Sequence, residues 1–146
     1  MSATVLIVDD CIDIARISAH YLETAGYRTI TATSALQACQ ILGRTTPDCI
    51  VLDIMMPGMT GTEFLHGLRK DPICRSVPVV LVSARIGFHG SHFGIAMEAD
   101  YSVGKPFTRQ QLVQAVRTVL AKKAGDTATP PAAARTDLPA ALPAPC

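Results

Sequence analysis

The sequence of 146 residues predicts a doubly wound α/β fold, in which a parallel sheet of five strands carries helices on both faces. Short apolar runs alternate with segments of helical periodicity five times along the chain, as in a series of βα units. The strand runs are continuously apolar, which is typical of strands that are buried on both faces. Right-handed crossovers follow from such a series.

The individual elements follow from the same two patterns. Apolar runs predict five strands, at 5–8, 28–32, 49–52, 79–82 and 101–103. Helical periodicity predicts five helices, at 12–25, 34–42, from 60 onwards, at 86–99 and from 108 to about 123. The glycine-rich stretch 87–94 has low helix propensity. We expect that stretch to be mobile, with an order that depends on the functional state of the protein.

Capping signals mark several helix boundaries. Three hydroxyl residues precede a Glu or Gln by three positions, the spacing of a capping box; the pairs are Ser34–Gln37, Thr60–Glu63 and Thr108–Gln111. Gly26 is expected to end the first helix. On the apolar faces of the first two helices, we expect Ile17 and Leu36 to point towards the core.

Composition excludes several classes of protein. Thirteen basic and twelve acidic residues leave a formal net charge of +1, so direct nucleic-acid binding is not expected. The five cysteines contain no Cys-x-x-Cys pair, which argues against a zinc site. The apolar runs are far shorter than the roughly 20 residues that span a bilayer, and no signal-peptide pattern precedes them. We therefore expect a cytoplasmic protein that makes no membrane contact.

The composition changes near residue 124. Alanine and proline dominate from there onwards, and prolines at five positions oppose a helix: 130, 131, 139, 143 and 145. We expect one folded domain over 1–123 and a disordered tail over 124–146.

Polar side chains stand where the predicted strands end. Asp9 and Asp10 follow the first strand, Asp53 the third, Ser83 the fourth, and Lys105 the fifth. Sites in open α/β sheets form at the carboxyl ends of the strands, so these groups are expected to meet. Three close carboxylates repel one another unless a cation is present, and Mg²⁺ prefers such oxygen ligands. A carboxylate beside Mg²⁺ can accept a phosphoryl group.

Four motifs in this order carry a family resemblance. They are Val-Asp-Asp at 8–10, Asp-Ile-Met-Met-Pro-Gly-Met-Thr-Gly at 53–61, Ser-Ala at 83–84 and Lys-Pro-Phe at 105–107. Residues 3–122 thereby closely resemble the receiver domain of two-component response regulators, of the single-domain type found in chemotaxis. The resemblance implies a flavodoxin-like fold with strand order 2-1-3-4-5.

The resemblance also implies a role for each acidic residue. Asp53 corresponds to the phosphoryl acceptor of the family. Asp10 corresponds to a direct Mg²⁺ ligand, and Asp9 to the residue that holds metal-bound water. The backbone carbonyl of Met55 stands where the family supplies a further metal ligand.

The remaining motif residues correspond to switch and loop positions. Ser83 matches the hydroxyl that moves to bind the phosphoryl group, and Lys105 matches the ammonium that pairs with it. In this family the bond between Lys105 and Pro106 is cis. Pro57 and Gly61 shape the loop beside the acceptor.

One position departs from the family pattern. The family usually carries an aromatic residue three positions before the lysine, and here that position is Ser102. Tyr101 is its neighbour, and adjacent side chains of a strand face opposite ways. Tyr101 therefore cannot replace the aromatic residue unless a β-bulge shifts the register.

The expected function is that of a stand-alone, phospho-accepting switch. The phosphoryl donor is a sensor histidine kinase or a histidine phosphotransfer protein. Readout falls to a downstream protein, or to a homodimer, on the face formed by the helix after the fourth strand, the fifth strand and the last helix. The chain is not expected to be an enzyme beyond its own phosphorylation and dephosphorylation.

Two alternatives remain at this point. The first is a phosphorylation-independent receiver-like module with an atypical output switch. The second is a phosphatase of the haloacid-dehalogenase type, which needs a second Asp two residues after the nucleophile. Met55 occupies that position, which argues against the phosphatase.

Overall fold

Five parallel strands form a single sheet in the computed structural model, which describes residues 3–54, 61–83 and 99–128. The strands are β1 (Thr4–Val8), β2 (Arg28–Ala32), β3 (Cys49–Asp53), β4 (Val79–Ser83) and β5 (Tyr101–Gly104). Their spatial order is β2-β1-β3-β4-β5, which confirms the predicted topology. The order reverses next to β1, so the carboxyl ends of β1 and β3 flank the crevice where α/β sheets place their sites.

Four helices lie within the described residues. They are α1 (Ile12–Thr24), α2 (Ala35–Leu42), α3 (Gly61–Lys70) and α4 (Arg109–Ala128). The helix predicted at 86–99 and the cap predicted at Thr60 fall outside the described residues. None of the helices in the described part of the chain combines the length and the hydropathy that crossing a membrane requires.

The predicted helix boundaries are largely confirmed. The Ser34 hydroxyl accepts the backbone N–H of Gln37 at 3.1 Å. At the start of α4 the box is reciprocal, since the Thr108 hydroxyl accepts the Gln111 N–H at 3.1 Å and the Gln111 side chain accepts the Thr108 N–H at 2.9 Å. Beyond α1, Gly26 has φ of 99°, a left-handed conformation that favours glycine.

The sheet is covered on both faces, as its continuously apolar strands predict. Alternate residues of β1 enter different core clusters: Leu6 packs with α2 and α3, whereas Ile7 packs with α1 and α4. Both side chains are essentially inaccessible to solvent. Burial on both faces leaves the strand ends as the places where polar side chains can gather.

Two predictions about core-facing residues are wrong. Leu36 is 69% exposed and Ile17 is 43% exposed. In α2 the buried positions are instead Ala35, Ala38 and Leu42, which share one side of the helix at spacings of three and four. Because the side of α2 with these alanines faces the core, the next residue, Leu36, points towards solvent.

The last helix is longer than predicted, because α4 continues to Ala128, five residues beyond Lys123. Gly125 costs only about 1 kcal/mol in a helix, whereas the first proline after the helix is Pro130. The predicted tail beyond α4 lies outside the described residues.

The side chain of Arg69 and its partners hold the amino ends of β4 and β5 against α3. We call this group the Arg69 cluster. The Arg69 guanidinium donates to the carbonyls of Arg75 and Val77 at 2.9 and 2.8 Å, and to the Asp100 carboxylate at 3.1 Å. The same Asp100 oxygen accepts the backbone N–H of Val79 at 2.8 Å. One side chain thus ties the helix, the following loop and two strands together at the edge of the sheet remote from the strand-end aspartates.

We expect Arg69→Met to lower the free energy of unfolding by about 2 kcal/mol. The variant keeps an aliphatic stem but removes the charged donor from three acceptors, and bonds to charged groups contribute about 1.5–3 kcal/mol. Urea unfolding followed by circular dichroism measures the effect. Lys70→Met is the control, because Lys70 is exposed on the same helix. Equal losses in both variants would contradict the assigned role of Arg69.

Candidate functional site

Three of the predicted site residues meet at the carboxyl edge of the sheet. Asp53 is the last residue of β3, and Asp9 follows directly after β1, the neighbouring strand. Lys105 follows directly after β5. Asp9 and Asp53 are only 4% and 3% exposed. Parallel strands with this order therefore bring two buried carboxylates and one ammonium group to a single place.

Lys105 bridges the two buried carboxylates. Its Nζ lies 3.2 Å from Oδ2 of Asp9 and 3.5 Å from Oδ1 of Asp53. Burial alone lowers the pKa of the Lys105 ammonium and is the largest single influence on it. The negative charges of Asp53 and Asp9, with the hydrogen bonds to both, together outweigh burial and hold the pKa of Lys105 above its ordinary value. Lys105 is therefore a fixed positive charge at neutral pH.

The loop that carries Lys105 is anchored at several points. The Lys105–Pro106 peptide bond is cis, as the family resemblance implies. Phe107 packs edge-on against Tyr21 of α1, with ring centroids 6.3 Å apart. The capping box of Thr108 then starts α4. These contacts fix the backbone of the loop. The position of the Lys105 ammonium therefore does not depend on the flexible lysine side chain alone.

A backbone donor that the sequence did not reveal completes the environment of Asp9. The N–H of Cys11 donates to Oδ1 of Asp9 at 2.9 Å, so each carboxylate oxygen of Asp9 has a partner. α1 begins at Ile12, and the first N–H groups of a helix have no partner within it. The sequence did contain one signal for this hydrogen bond. Asp9 stands just before a predicted helix, and short acidic side chains commonly accept the unpartnered N–H groups at the start of a helix.

The three acidic residues have the geometry of a candidate cation site. One carboxylate oxygen from each of Asp9, Asp10 and Asp53 lies within 4.8 Å of the other two. Asp10 is exposed, whereas its two neighbours are buried. Three carboxylates carry more negative charge than the single Lys105 ammonium offsets. A hard divalent cation with oxygen ligands, such as Mg²⁺, fits this donor set and its excess charge.

Gly61 allows the chain to pass closely behind Asp53. A Cβ at this position would overlap the carbonyl oxygen of Asp53 and lie 2.6 Å from Cα of Ile54. The N–H of Gly61 donates to the carbonyl of Ile54 at 3.0 Å. The backbone that carries the Asp53 side chain therefore packs directly on the first residue of α3, and only glycine fits there without a shift.

The two residues at the switch position face different sides of the sheet. β5 pairs with β4 in continuous register from Val80–Tyr101 to Ser83–Gly104, so no bulge shifts it. Val103 belongs to the cluster with α1 and α4, and Tyr101 shares that side because side chains alternate. Ser102 faces the opposite side. Tyr101 therefore does not take the place of an aromatic residue at position 102.

Other predicted site residues lie outside the described part of the structure. They are Met55 and Pro57, the side chain of Ser83, and the glycine-rich stretch 87–94. The backbone of Ser83 ends β4 beside Gly104, at the same edge of the sheet as the carboxylates. Pro106 is described, and it follows Lys105 on the exposed surface.

Comparison with known proteins identifies the family. The family model of the response regulator receiver domain matches residues 5–117, most of the chain. The chain belongs to the response regulator receiver family. Receiver domains are signalling domains that interact with histidine kinases or phosphotransfer proteins, and phosphorylation on an aspartate is typical of the family.

Individual relatives support this membership. Over 128 residues this receiver domain is 34% identical to the phosphate regulon transcriptional regulatory protein PhoB of Pseudomonas aeruginosa, covering 87% of this chain and 56% of that protein. The response regulator SaeR of Staphylococcus aureus is 32% identical, with 80% and 50% covered. The chain thus spans about half the length of the curated relatives it matches.

Two solved structures of receiver domains are similar over nearly their whole length. The chemotaxis response regulator CheY4 of Vibrio cholerae is 30% identical, with a TM-score of 0.73, covering 82% of this chain and 99% of that one. The receiver domain of a signal transduction histidine kinase from Syntrophus aciditrophicus is 29% identical, with a TM-score of 0.74 and coverage of 83% and 92%. The predicted flavodoxin-like fold is therefore confirmed.

We expect Gly61→Ala to destabilise the receiver domain by about 2 kcal/mol, because the added methyl group forces backbone atoms around Asp53 to shift. Gly67→Ala in the same helix is the matched control. A Cβ at Gly67 meets no atom within 4 Å, so this variant should be neutral or stabilised by up to about 1 kcal/mol. Urea titration of both variants measures the difference. Similar effects in the two would contradict the close approach at Gly61.

Proposed function

We propose that Asp53 accepts a phosphoryl group from a sensor histidine kinase or a histidine phosphotransfer protein. The observation that carries this proposal is the Lys105 ammonium, held 3.2 and 3.5 Å from the carboxylates of Asp9 and Asp53. Two buried carboxylates at adjacent strand ends are costly to keep without opposite charge. The arrangement of these two carboxylates with Lys105 suits a site at which phosphorylation adds negative charge to Asp53.

The proposed transfer is a displacement at phosphorus. A carboxylate oxygen of Asp53 forms a bond to phosphorus as the bond from phosphorus to the donor imidazole nitrogen breaks, and the leaving imidazole takes a proton from solvent. A carboxylate nucleophile at Asp53 needs no general base, because it has no proton to lose. Lys105 pairs with the added negative charge, and the proposed role of the Ser83 hydroxyl is to bind the phosphoryl group.

Asp9, Asp10 and the carbonyl of Met55 are the residues proposed to hold Mg²⁺ together with Asp53. When bound, Mg²⁺ offsets the negative charge of the phosphoryl oxygens. The support is the close approach of the three carboxylates, within 4.8 Å of one another. Lys105 and the Cys11 N–H orient Asp9, which leaves the exposed Asp10 as the more accessible ligand.

We further propose that the domain acts as a stand-alone switch read by another protein in the cytoplasm. The support is the similarity to CheY4, which is 30% identical with a TM-score of 0.73. On this proposal, phosphorylation shifts an existing equilibrium between two states of the readout face, β5 and its flanking helices.

A second candidate function is a receiver-like module that binds its partner without phosphorylation. The observation that favours it is the position of Tyr101, on the opposite side of β5 from Ser102. In such a module, Asp53→Asn leaves partner binding unchanged. A partner captured only by the phosphorylated or beryllofluoride-treated chain would exclude this candidate.

We expect incubation with acetyl phosphate and Mg²⁺ to add one phosphoryl group to the wild-type chain and none to Asp53→Asn. Intact mass spectrometry measures the adduct. Asp13→Asn is the control, because it makes the same substitution at an exposed position outside the three-carboxylate cluster and should remain a full acceptor. An adduct on Asp53→Asn, or failure of the wild type both to react and to bind beryllofluoride, would refute the proposed acceptor.

We expect Mg²⁺ to raise the thermal unfolding midpoint of the wild type by several degrees. A ligand at about ten times its dissociation constant stabilises the folded state by about 1.4 kcal/mol. Asp10→Asn should lose most of this shift, whereas Asp13→Asn should keep it. An equal shift in Asp10→Asn and wild type would show that Mg²⁺ binds elsewhere.

A further inference from the structure

Two contacts join the last turn of α1 to the segment that follows Lys105. The ring of Phe107 packs edge-on against Tyr21, with centroids 6.3 Å apart and ring planes at 74°. Two residues further along the chain, Nε of Arg109 donates a hydrogen bond to the Thr24 hydroxyl at 2.8 Å. We call the four residues that make these contacts the α1 clamp: Tyr21, Thr24, Phe107 and Arg109.

Thr24 connects the two contacts within α1. Its hydroxyl accepts from Arg109 and donates to the carbonyl of Tyr21 at 2.8 Å, and a hydroxyl group can do both at once. The Tyr21 carbonyl is one of the last four of the helix, which lack a backbone N–H partner inside it. The aromatic contact and the arginine contact are therefore parts of one connected arrangement.

Burial of apolar surface accounts for the aromatic half of the clamp only. Tyr21 and Phe107 are half-buried and pack against the core cluster between α1, α4 and one face of the sheet. Thr24 and Arg109 are exposed, and their hydrogen bond lies outside that cluster. The start of α4 already has the capping box of Thr108, so helix capping does not explain the bond either.

The clamp holds the segment that carries the lysine of the candidate site. Lys105 lies two residues before Phe107, and Gly104 before it is still paired with Ser83 of β4. The backbone of Lys105 is therefore fixed by the sheet on one side and by the clamp on the other.

The Lys105 ammonium has little room for displacement. Its Nζ bridges carboxylates from two strand ends, at 3.2 Å from Asp9 and 3.5 Å from Asp53. A shift of the lysine backbone by about 1 Å is enough to lengthen one contact past the roughly 4 Å of an ion pair, unless the side chain compensates. A misplacement of that size at a reacting site can cost about a hundredfold in rate.

We propose that Tyr21 and Thr24 are positioning residues for phosphoryl acceptance on Asp53. Through the other two residues of the α1 clamp, they set where the Lys105 ammonium lies. This inference rests on the proposed function, because it deepens the part of Lys105 in that reaction. The ammonium is held where it pairs with the negative charge that a phosphoryl group brings to Asp53.

The test compares paired variants of the full chain. Tyr21→Leu removes the ring, and Tyr21→Phe keeps it. Thr24→Val removes the hydroxyl at nearly constant volume, and Thr24→Ser keeps it.

Each pair has a matched control. Tyr27→Leu makes the same change in a half-buried tyrosine of the same core cluster, which stands just before β2, at the sheet edge opposite β5. Thr118→Val removes a hydroxyl that also donates to a helix carbonyl, that of Gln114 at 2.7 Å, well inside α4.

Two readouts are taken at one fixed pH. The first is the NMR signal of the Lys105 ε-methylene group in the lysine-labelled chain, without Mg²⁺ or a phosphoryl donor. The sequence has four lysines, and the signal that Lys105→Arg removes identifies the one that matters. The second is the rate at which acetyl phosphate with Mg²⁺ adds a phosphoryl group, followed by intact mass. Urea unfolding of each variant confirms that it is folded in the assay.

We expect Tyr21→Leu to move the Lys105 signal and to lower the rate of phosphorylation by about tenfold, because the loop loses its aromatic contact. Thr24→Val should change both readouts in the same direction, with a loss of about threefold in rate. Tyr21→Phe and Thr24→Ser keep the contacts and should stay within about twofold of the wild type. The two controls should leave the signal in place.

Several outcomes would overturn the proposal. They include an unmoved Lys105 signal in Tyr21→Leu and Thr24→Val, and an equal shift of that signal in the controls. In a chain that is phosphorylated, a loss of rate without a moved signal, or a moved signal without a loss of rate, would also overturn it. The same holds if Tyr21→Phe behaves as Tyr21→Leu does.

The two readouts separate this inference from the proposed function. If the wild type accepts no phosphoryl group and binds no beryllofluoride, a Lys105 signal that moves only in the clamp variants would support the clamp while refuting the proposed function. Normal phosphorylation of every variant with the signal unmoved would refute the clamp alone and leave Asp53 as the acceptor.

Discussion

The Lys105 ammonium between two buried carboxylates is the interaction around which the rest of the domain is arranged. Asp9 and Asp53 lie buried at the ends of adjacent strands, where unpaired charges are costly. The lysine lies 3.2 and 3.5 Å from them. It offsets part of their charge and leaves the remainder, with that of Asp10, for a cation or a reacting group.

The fold is what allows this arrangement to be held in place. The order β2-β1-β3-β4-β5 puts the carboxyl ends of β1 and β3 side by side. Because both faces of these strands are covered by helices, their termini are the positions at which charged groups can gather. Gly61 permits the closest backbone packing behind Asp53, and the Phe107 contact with Tyr21 fixes the lysine loop.

Long, regular patterns in the sequence were enough to predict the strands and the convergence of Asp9, Asp53 and Lys105, and the family resemblance implied the strand order. The orientation of Leu36 was not predictable, because hydrophobicity does not reveal that the side of α2 with two alanines faces the core. The Arg69 cluster was equally hidden. Its partners include two backbone carbonyls, which leave no trace in the identity of the residues that carry them.

The Arg69 cluster also divides the sheet into two ends of different character. At the amino end, one guanidinium and one carboxylate lock α3, β4 and β5 into a fixed spacing. At the carboxyl end, β3 carries Asp53, the proposed phosphoryl acceptor, and β4 and β5 lead to Ser83 and Lys105. Because the anchor lies at the amino end, substitutions at the carboxyl end leave the contacts of Arg69 intact. The division therefore separates the residues that hold the strands together from the residues of the candidate site.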